Sequence, residues 1–169
     1  MRTPLLVVLS VALIVACAQE MPRRERMAEA EAVEEQLVAW VQAQNNLYRN
    51  GLNRQRLDSL APFYLQNDQL QAYWPMGGRT LGWEEFDTRM REFFGTFNHL
   101  NMVMTDPRVE VMNPTAALST FRHSTDVVLG ARARSVNPGG GTILWVKDRA
   151  DGEWKIHLQH ISWDNPAGN

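Results

Sequence analysis

The sequence predicts an α+β fold in which three helices lead into a sheet of mainly antiparallel strands. Three observations carry that prediction. Apolar residues recur every three or four positions through most of the first ninety-odd residues, and every second position after about Asn101. Gly and Pro punctuate the junctions between these segments, where the chain must turn. The helix-like segments come first and the strand-like ones follow, a grouping that fits α+β and not βαβ.

The first helix is predicted from about Arg24 to Tyr48. Val33, Leu37, Trp40, Val41, Leu47 and Tyr48 form its apolar stripe, while Glu31, Glu34, Glu35 and Gln42 fall elsewhere. Asn50-Gly51 supplies its stop, because Gly readily takes the left-handed geometry of a helix C-terminus. A short second helix carries Leu57, Leu60 and Ala61, with Pro62 near its end. Residues 69–74 alternate as a strand, and "PMGG" at 75–78 has turn chemistry. Trp83 to Phe94 reads as the third helix, with Trp83, Phe86, Met90, Phe93 and Phe94 on one side, a spacing that is ordinary for core packing. Four strands follow at 101–112, 116–129, 141–147 and 153–163, separated by "NPT", "ARARSVNPGG" and "DRADG".

The N-terminus carries an address. Leu5 to Val15 is apolar apart from Ser10, too short for a membrane-spanning helix but suited to a signal-peptide core. Ile14-Val15-Ala16-Cys17 resembles a bacterial lipobox, in which the cysteine is lipidated, and Cys17 is the sole cysteine. The alternative is ordinary cleavage after Ala16-Cys17-Ala18, giving a soluble periplasmic or secreted protein. The expected organisation is a signal peptide over 1–17, a tether over 18–26, one domain over 27–163 and a tail over 164–169, anchored to the bacterial cell envelope. Seventeen Lys and Arg against 19 Asp and Glu give a net charge of −2, and −3 once Arg2 is removed with the leader. That balance argues against nucleic acid as a partner. A folded part without cysteine has neither disulfides nor thiolate metal sites.

The end of the chain carries a resemblance. Asp151-Gly152, Trp154-Lys155-Ile156 and His160-Ile161-Ser162 together resemble the "DG-x-W-x-I-x-x-x-H-x-S" ending of the association domain of calcium/calmodulin-dependent protein kinase. Thr142-Ile143-Leu144-Trp145 resembles that group's preceding strand, and Phe121-Arg122-His123 its arginine-bearing strand. Across residues 28 to 163 the order of elements is similar to the nuclear-transport-factor-2-like (NTF2-like) superfamily, which includes SnoaL-like cyclases and ketosteroid isomerases. The resemblance implies a cone, with the three helices packed on a strongly curved sheet, and a homodimer formed through the convex face. It also implies that His157, Gln159 and Ile161 face the pocket, while Trp154, Ile156, Leu158, His160 and Ser162 face outward.

The same resemblance tests for chemistry. Where ketosteroid isomerase has its general-base aspartate, Trp74 precedes Pro75; its second aspartate matches Ile143, or Leu144 in an ungapped alignment. Tyr48 corresponds to the helical tyrosine that stabilises the oxyanion, but a phenol without either carboxylate cannot take a proton from carbon. Of the three pocket arginines of the kinase domain, Arg122 matches one, with Ile143 and Ile161 at the others. Pairing of Arg122 with Asp126 or another acid is the structural alternative to a ligand role.

The expected function is therefore a mostly apolar pocket that binds a small organic molecule with an anionic or carbonyl end. Its candidate lining is Tyr48, Trp74, Phe86, Arg122, Ser124, Trp145, His157, Gln159 and Ile161. One alternative is an isomerase, cyclase or dehydratase that uses His157 with Tyr48. Another is a structural envelope lipoprotein whose cavity is filled by its own side chains. No cofactor or metal is expected: His157 and His160, three apart on a strand, point to opposite faces, and His99 lies in a loop-like stretch. Ser124 beside His123 makes no dyad, since neighbours on a strand diverge, and Gly139 to Gly141 lie between strands, not before a helix as a phosphate loop requires.

Overall fold

The computed structural model describes residues 23–49, 54–75, 77–96, 99–129 and 133–164. The leader, Cys17 and residues 165–169 lie outside the described residues. Helix α1 spans Arg23–Arg49 and α2 spans Trp83–Gly95. The strands are β1 (Gln71–Tyr73), β2 (Arg79–Leu81), β3 (His99–Asn113), β4 (Ala116–Leu129), β5 (Ala133–Lys147) and β6 (Trp154–Trp163). They form one curved sheet in the order β2-β1-β6-β5-β4-β3, antiparallel throughout except where β1 runs parallel to β6. Helices on one face of a mostly antiparallel sheet make the α+β cone that the sequence implies. No described helix is long and apolar enough to cross a membrane.

Three local elements differ from the sequence reading. The second helix is a pair of 3₁₀ turns, Arg54–Ser59 and Ala61–Phe63. Pro62 falls in the first turn of the latter, where its missing N–H costs nothing but prevents one continuous helix. Strand β2 was not foreseen. Trp74 N–H donates to the Gly78 carbonyl at 3.2 Å and Gly77 N–H to the Trp74 carbonyl at 2.9 Å, and this turn folds the chain back for three more residues. Gly77 and Gly78 take φ of 86° and 92°, a region open to glycine.

The third difference is larger. Strand β5 begins at Ala133, not at 141, so the glycines at 139–141 lie within it. A Cβ on Gly139 would collide with the Ser162 carbonyl oxygen and the His123 imidazole, and one on Gly141 would collide with the Phe121 ring. The glycines leave bare backbone on which two rings from β4 lie.

The helices deliver the core. Val33, Leu37, Val41, Gln44 and Tyr48 of α1 are buried at steps of four, four, three and four. Asn45 fastens α1 to β3: its side chain accepts from Met104 N–H at 2.9 Å and donates to the Met104 carbonyl at 3.3 Å. Just beyond, Asp106 at φ 51° marks a break in the β3–β4 register.

A second irregularity corrects the orientation expected for β6. Trp145 pairs with Ile156 but Leu144 pairs with Leu158, so His157 is an extra residue in a bulge. Before it, Trp154 and Ile156 are fully buried in the core; after it, Gln159 and Ile161 are buried and His160 is exposed. An unbroken alternation would keep one parity inside along the whole strand, and the bulge switches it. Gln159 and Ile161 therefore face inward, whereas Trp154 and Ile156 do so in place of His157.

Gly139→Ala is expected to destabilise the protein by about 3 kcal/mol, because the added methyl meets backbone on one side and a hydrogen-bonded ring on the other. Urea unfolding of the two proteins measures this, and a midpoint equal to wild type would contradict the close approach.

Candidate functional site

Between the helices and the inner face of the sheet lies a cavity of about 50 Å³. Tyr48 of α1, Met90, Phe93 and Phe94 of α2, and Leu100 and Met102 of β3 line one side. Thr125 of β4 and Gln159, Ile161 and Trp163 of β6 line another, and Trp74 and Pro75 close the end. Trp74, Pro75, Phe93 and Trp163 are half-buried while the rest are buried, so the cavity approaches the surface among those four. Its volume accommodates about three or four water-sized groups. Trp74 also lines an open cleft of about 480 Å³ with Arg79, Thr80 and Glu85, and its indole is thus the wall between the two hollows.

The lining is mostly apolar: Trp74 Nε1 is a buried N–H without a hydrogen-bond partner, and Tyr48, Thr125 and Gln159 belong to two polar relays. In the first, Tyr64 Oη donates to Gln159 Oε1 at 2.7 Å, Gln44 Nε2 lies 3.5 Å from Tyr64 Oη, and Tyr48 stands beside Tyr64. Burial pushes the Tyr48 phenol up from 10.0 to about 12, and burial followed by the proximity of Tyr48 raises Tyr64 further. Both are neutral phenols at neutral pH, so neither is a base. In the second relay Thr125 Oγ1 lies 3.0 Å from His123 Nδ1, and His123 Nε2 lies 3.1 Å from the Ser162 carbonyl oxygen. A carbonyl can only accept, so Nε2 carries the hydrogen and Nδ1 is the acceptor in neutral His123. Deeper in the core, Trp145 Nε1 donates to Ser119 Oγ at 2.8 Å.

The structure gathers some of the sequence-derived candidates and separates others. Tyr48, Trp74, Gln159 and Ile161 line the cavity. Phe86 stands one layer behind, its ring 5.6 Å from Trp74 and 4.6 Å from Tyr64, and Trp145 is deeper still in the core. Arg122 and Ser124 are on the outer face, because Phe121, His123, Thr125 and Val127 take the inward positions of β4. Arg122 donates to Asp164 Oδ2 at 2.6 Å on the surface, so the partner acid is Asp164. His157, displaced by the bulge, lines a different open hollow with Ala116, Val146 and Lys147. It does not converge with Tyr48. The side chain of His99 lies outside the described residues.

Sequence reasoning missed Gln44, Tyr64, Thr125 and the inward aim of His123. Gln44 had a readable signal: it is three residues after Val41 and four before Tyr48, a polar side chain on the buried stripe. Thr125 and His123 share a face at i and i+2, the pairing that an argument about adjacent Ser124 overlooked. Tyr64 had none, because the irregular segment containing it docks through a single bridge to Ile156. Among the described residues no Asp or Glu is buried, and no group of three His, Cys, Asp or Glu could hold a metal ion.

The chain matches no protein-family model and no curated sequence. Its structure does resemble solved ones. An NTF2-like superfamily protein from Salmonella enterica superimposes with a TM-score of 0.69 at 16% identity, covering 82% of this chain and 95% of that one. A protein of Novosphingobium aromaticivorans, provisionally assigned as a scytalone dehydratase, gives 0.67 at 12% identity, with 82% and 89% covered. The association domain of the Caenorhabditis elegans calcium/calmodulin-dependent kinase II gives 0.58 at 16% identity, with 79% and 97% covered. The fold is NTF2-like.

Burial lowers the His123 pKa from 6.5. The unfolded chain then binds more protons than the folded one between that lowered value and 6.5. Folding stability is expected to be full above about pH 6.5 and to decline as the pH falls through that window. Urea midpoints across pH 7.5 to 4.5 measure it, and His123→Gln should show a shallower acid decline than wild type.

Proposed function

We propose that the chain binds a small, mostly apolar molecule with one polar end inside the cone. The observation that carries this reading is convergence: Tyr48, Thr125 and Gln159 come from three different elements and meet, with the unpartnered Trp74 Nε1–H, in one mostly apolar cavity. The absence of a buried carboxylate among the described residues favours binding over isomerase-type proton abstraction. With Arg122 on the surface beside Asp164, no cationic side chain lines the cavity, and the unpartnered Trp74 Nε1–H is the group left to meet an acceptor. The provisionally assigned dehydratase among the similar structures is 12% identical, so that likeness supports the fold alone. The alternative enzyme built on His157 and Tyr48 loses its geometry, because these residues line separate hollows.

A panel of small apolar alcohols, amides and ketones should raise the melting temperature of the domain and change the fluorescence of Trp74 and Trp163. Met90→Trp, which fills the cavity from α2, should remove the response while the protein stays folded by circular dichroism. An unaltered response in that variant would place binding elsewhere, and no response from wild type would favour the purely structural reading.

Anchoring and assembly complete the proposal. Lipidation of Cys17 would hold the domain at the cell envelope, and expression in a bacterial host should place wild type in the membrane fraction and Cys17→Ser in the soluble one. Equal distribution of the two would support ordinary cleavage before Gln19. The dimer contact is assigned to the outer face, where Leu118, Leu144 and Leu158 stand in register across β4, β5 and β6 and remain half-buried. Leu144→Arg should convert a dimer to a monomer in sedimentation velocity, and a wild-type monomer would dismiss this contact.

A further inference from the structure

We propose that the ligand of the cavity presents an uncharged carbonyl group, and that the indole N–H of Trp74 is the donor that holds it. This rests on the reading that the cavity holds a ligand. Among the described residues that line the cavity, Trp74 alone has a buried polar side-chain atom without a partner, at Nε1. An indole nitrogen can only donate, so only an acceptor answers it. Buried Trp N–H groups ordinarily find a partner, and an unanswered one keeps its full desolvation cost. Trp74 stands between the cavity and an open cleft. An N–H turned toward the cleft would reach solvent; Nε1 is buried, which leaves the cavity as the hollow on its side.

The rest of the lining orients such a ligand. Phe86 stacks on the Trp74 ring at 5.6 Å and Phe93 lies against it at 5.8 Å, so the donor is held before anything binds. The side-chain oxygens of Thr125 and Gln159 have partners within the protein, at His123 and Tyr64. Met90, Phe94, Leu100 and Met102 supply buried apolar surface for a hydrocarbon part. No cationic side chain lines the cavity, so a carboxylate in the same place would keep an uncompensated charge. Trp154 Nε1 is also buried without a partner, but its ring lies in the core, outside the lining, and it serves as the control.

The test uses acetone and 2-methylpropene, the same shape with and without the acceptor oxygen, together with acetate and xenon. Each is added to the full-length chain carrying isotope-labelled tryptophan, and the Trp74 Nε1–H resonance is identified by its absence from Trp74→Phe. Acetone is expected to move that proton downfield and to leave the Trp154 Nε1–H in place. The expected behaviour of 2-methylpropene is entry without the downfield move, and acetate should not bind. Replacing Trp74 with benzothienylalanine, in which sulfur takes the place of the N–H, should weaken acetone roughly tenfold, one hydrogen bond's worth, and leave 2-methylpropene unchanged. If xenon or 2-methylpropene enters but acetone leaves the Trp74 proton unmoved, or binds the benzothienylalanine variant as well as wild type, the inference is overturned and the cavity reading stands. Acetate binding as tightly as acetone overturns the uncharged class in the same way. If none of the four enters, the binding reading falls and this inference with it.

Discussion

The contact between His123 and the Ser162 carbonyl, made across the bare backbone of Gly139, is the constraint on which the site depends. It joins β4 to β6 over a strand that contributes no side chain there. The same contact sets the tautomer of the ring, and the tautomer decides which way Thr125 points its hydrogen. The neutral ring is favoured by burial, so the orientation is built into the folded state and does not wait for a ligand. A run of three glycines that looks like a loop in sequence is, in space, the floor beneath a hydrogen-bonded histidine.

Much of the architecture was legible because periodicity is a local property. The stripe on α1, the stripe on α2 and the alternation along β4 each follow from burying one face, and those elements lie where the residues put them. The illegible parts share a cause. Whether Ala133 continues a strand depends on partners in β4, and the sequence around Gly139 hides that because glycine carries no side chain to show its neighbours. The inward set of β6 depends on one inserted residue at His157, which nothing in "WKIHLQHIS" announces, since both parities contain apolar residues.

The candidate site was legible in outline and misjudged in chemistry. Tyr48, Trp74, Gln159 and Ile161 were nominated by resemblance and face one cavity. Arg122 was nominated in the same way, but the neighbours that alternate with it are Phe121 and His123, whose rings need the inner face. Charge would have been costly there, and an exposed ion pair with Asp164 is the inexpensive outcome. A resemblance transmits the shape of a pocket better than its polarity, because shape rests on many residues and polarity on a few.

The treatment of the sheet's two rims has a consequence for solubility. At one rim β2 is three residues long; at the other, the 15-residue β3 has its Met104 peptide groups occupied by Asn45 and its line broken at Asp106 and Pro107. Long, regular rims invite strand addition by stray chains, and shortened or interrupted ones resist it. A protein built this way can crowd and still be kept from zipping edge to edge into fibres.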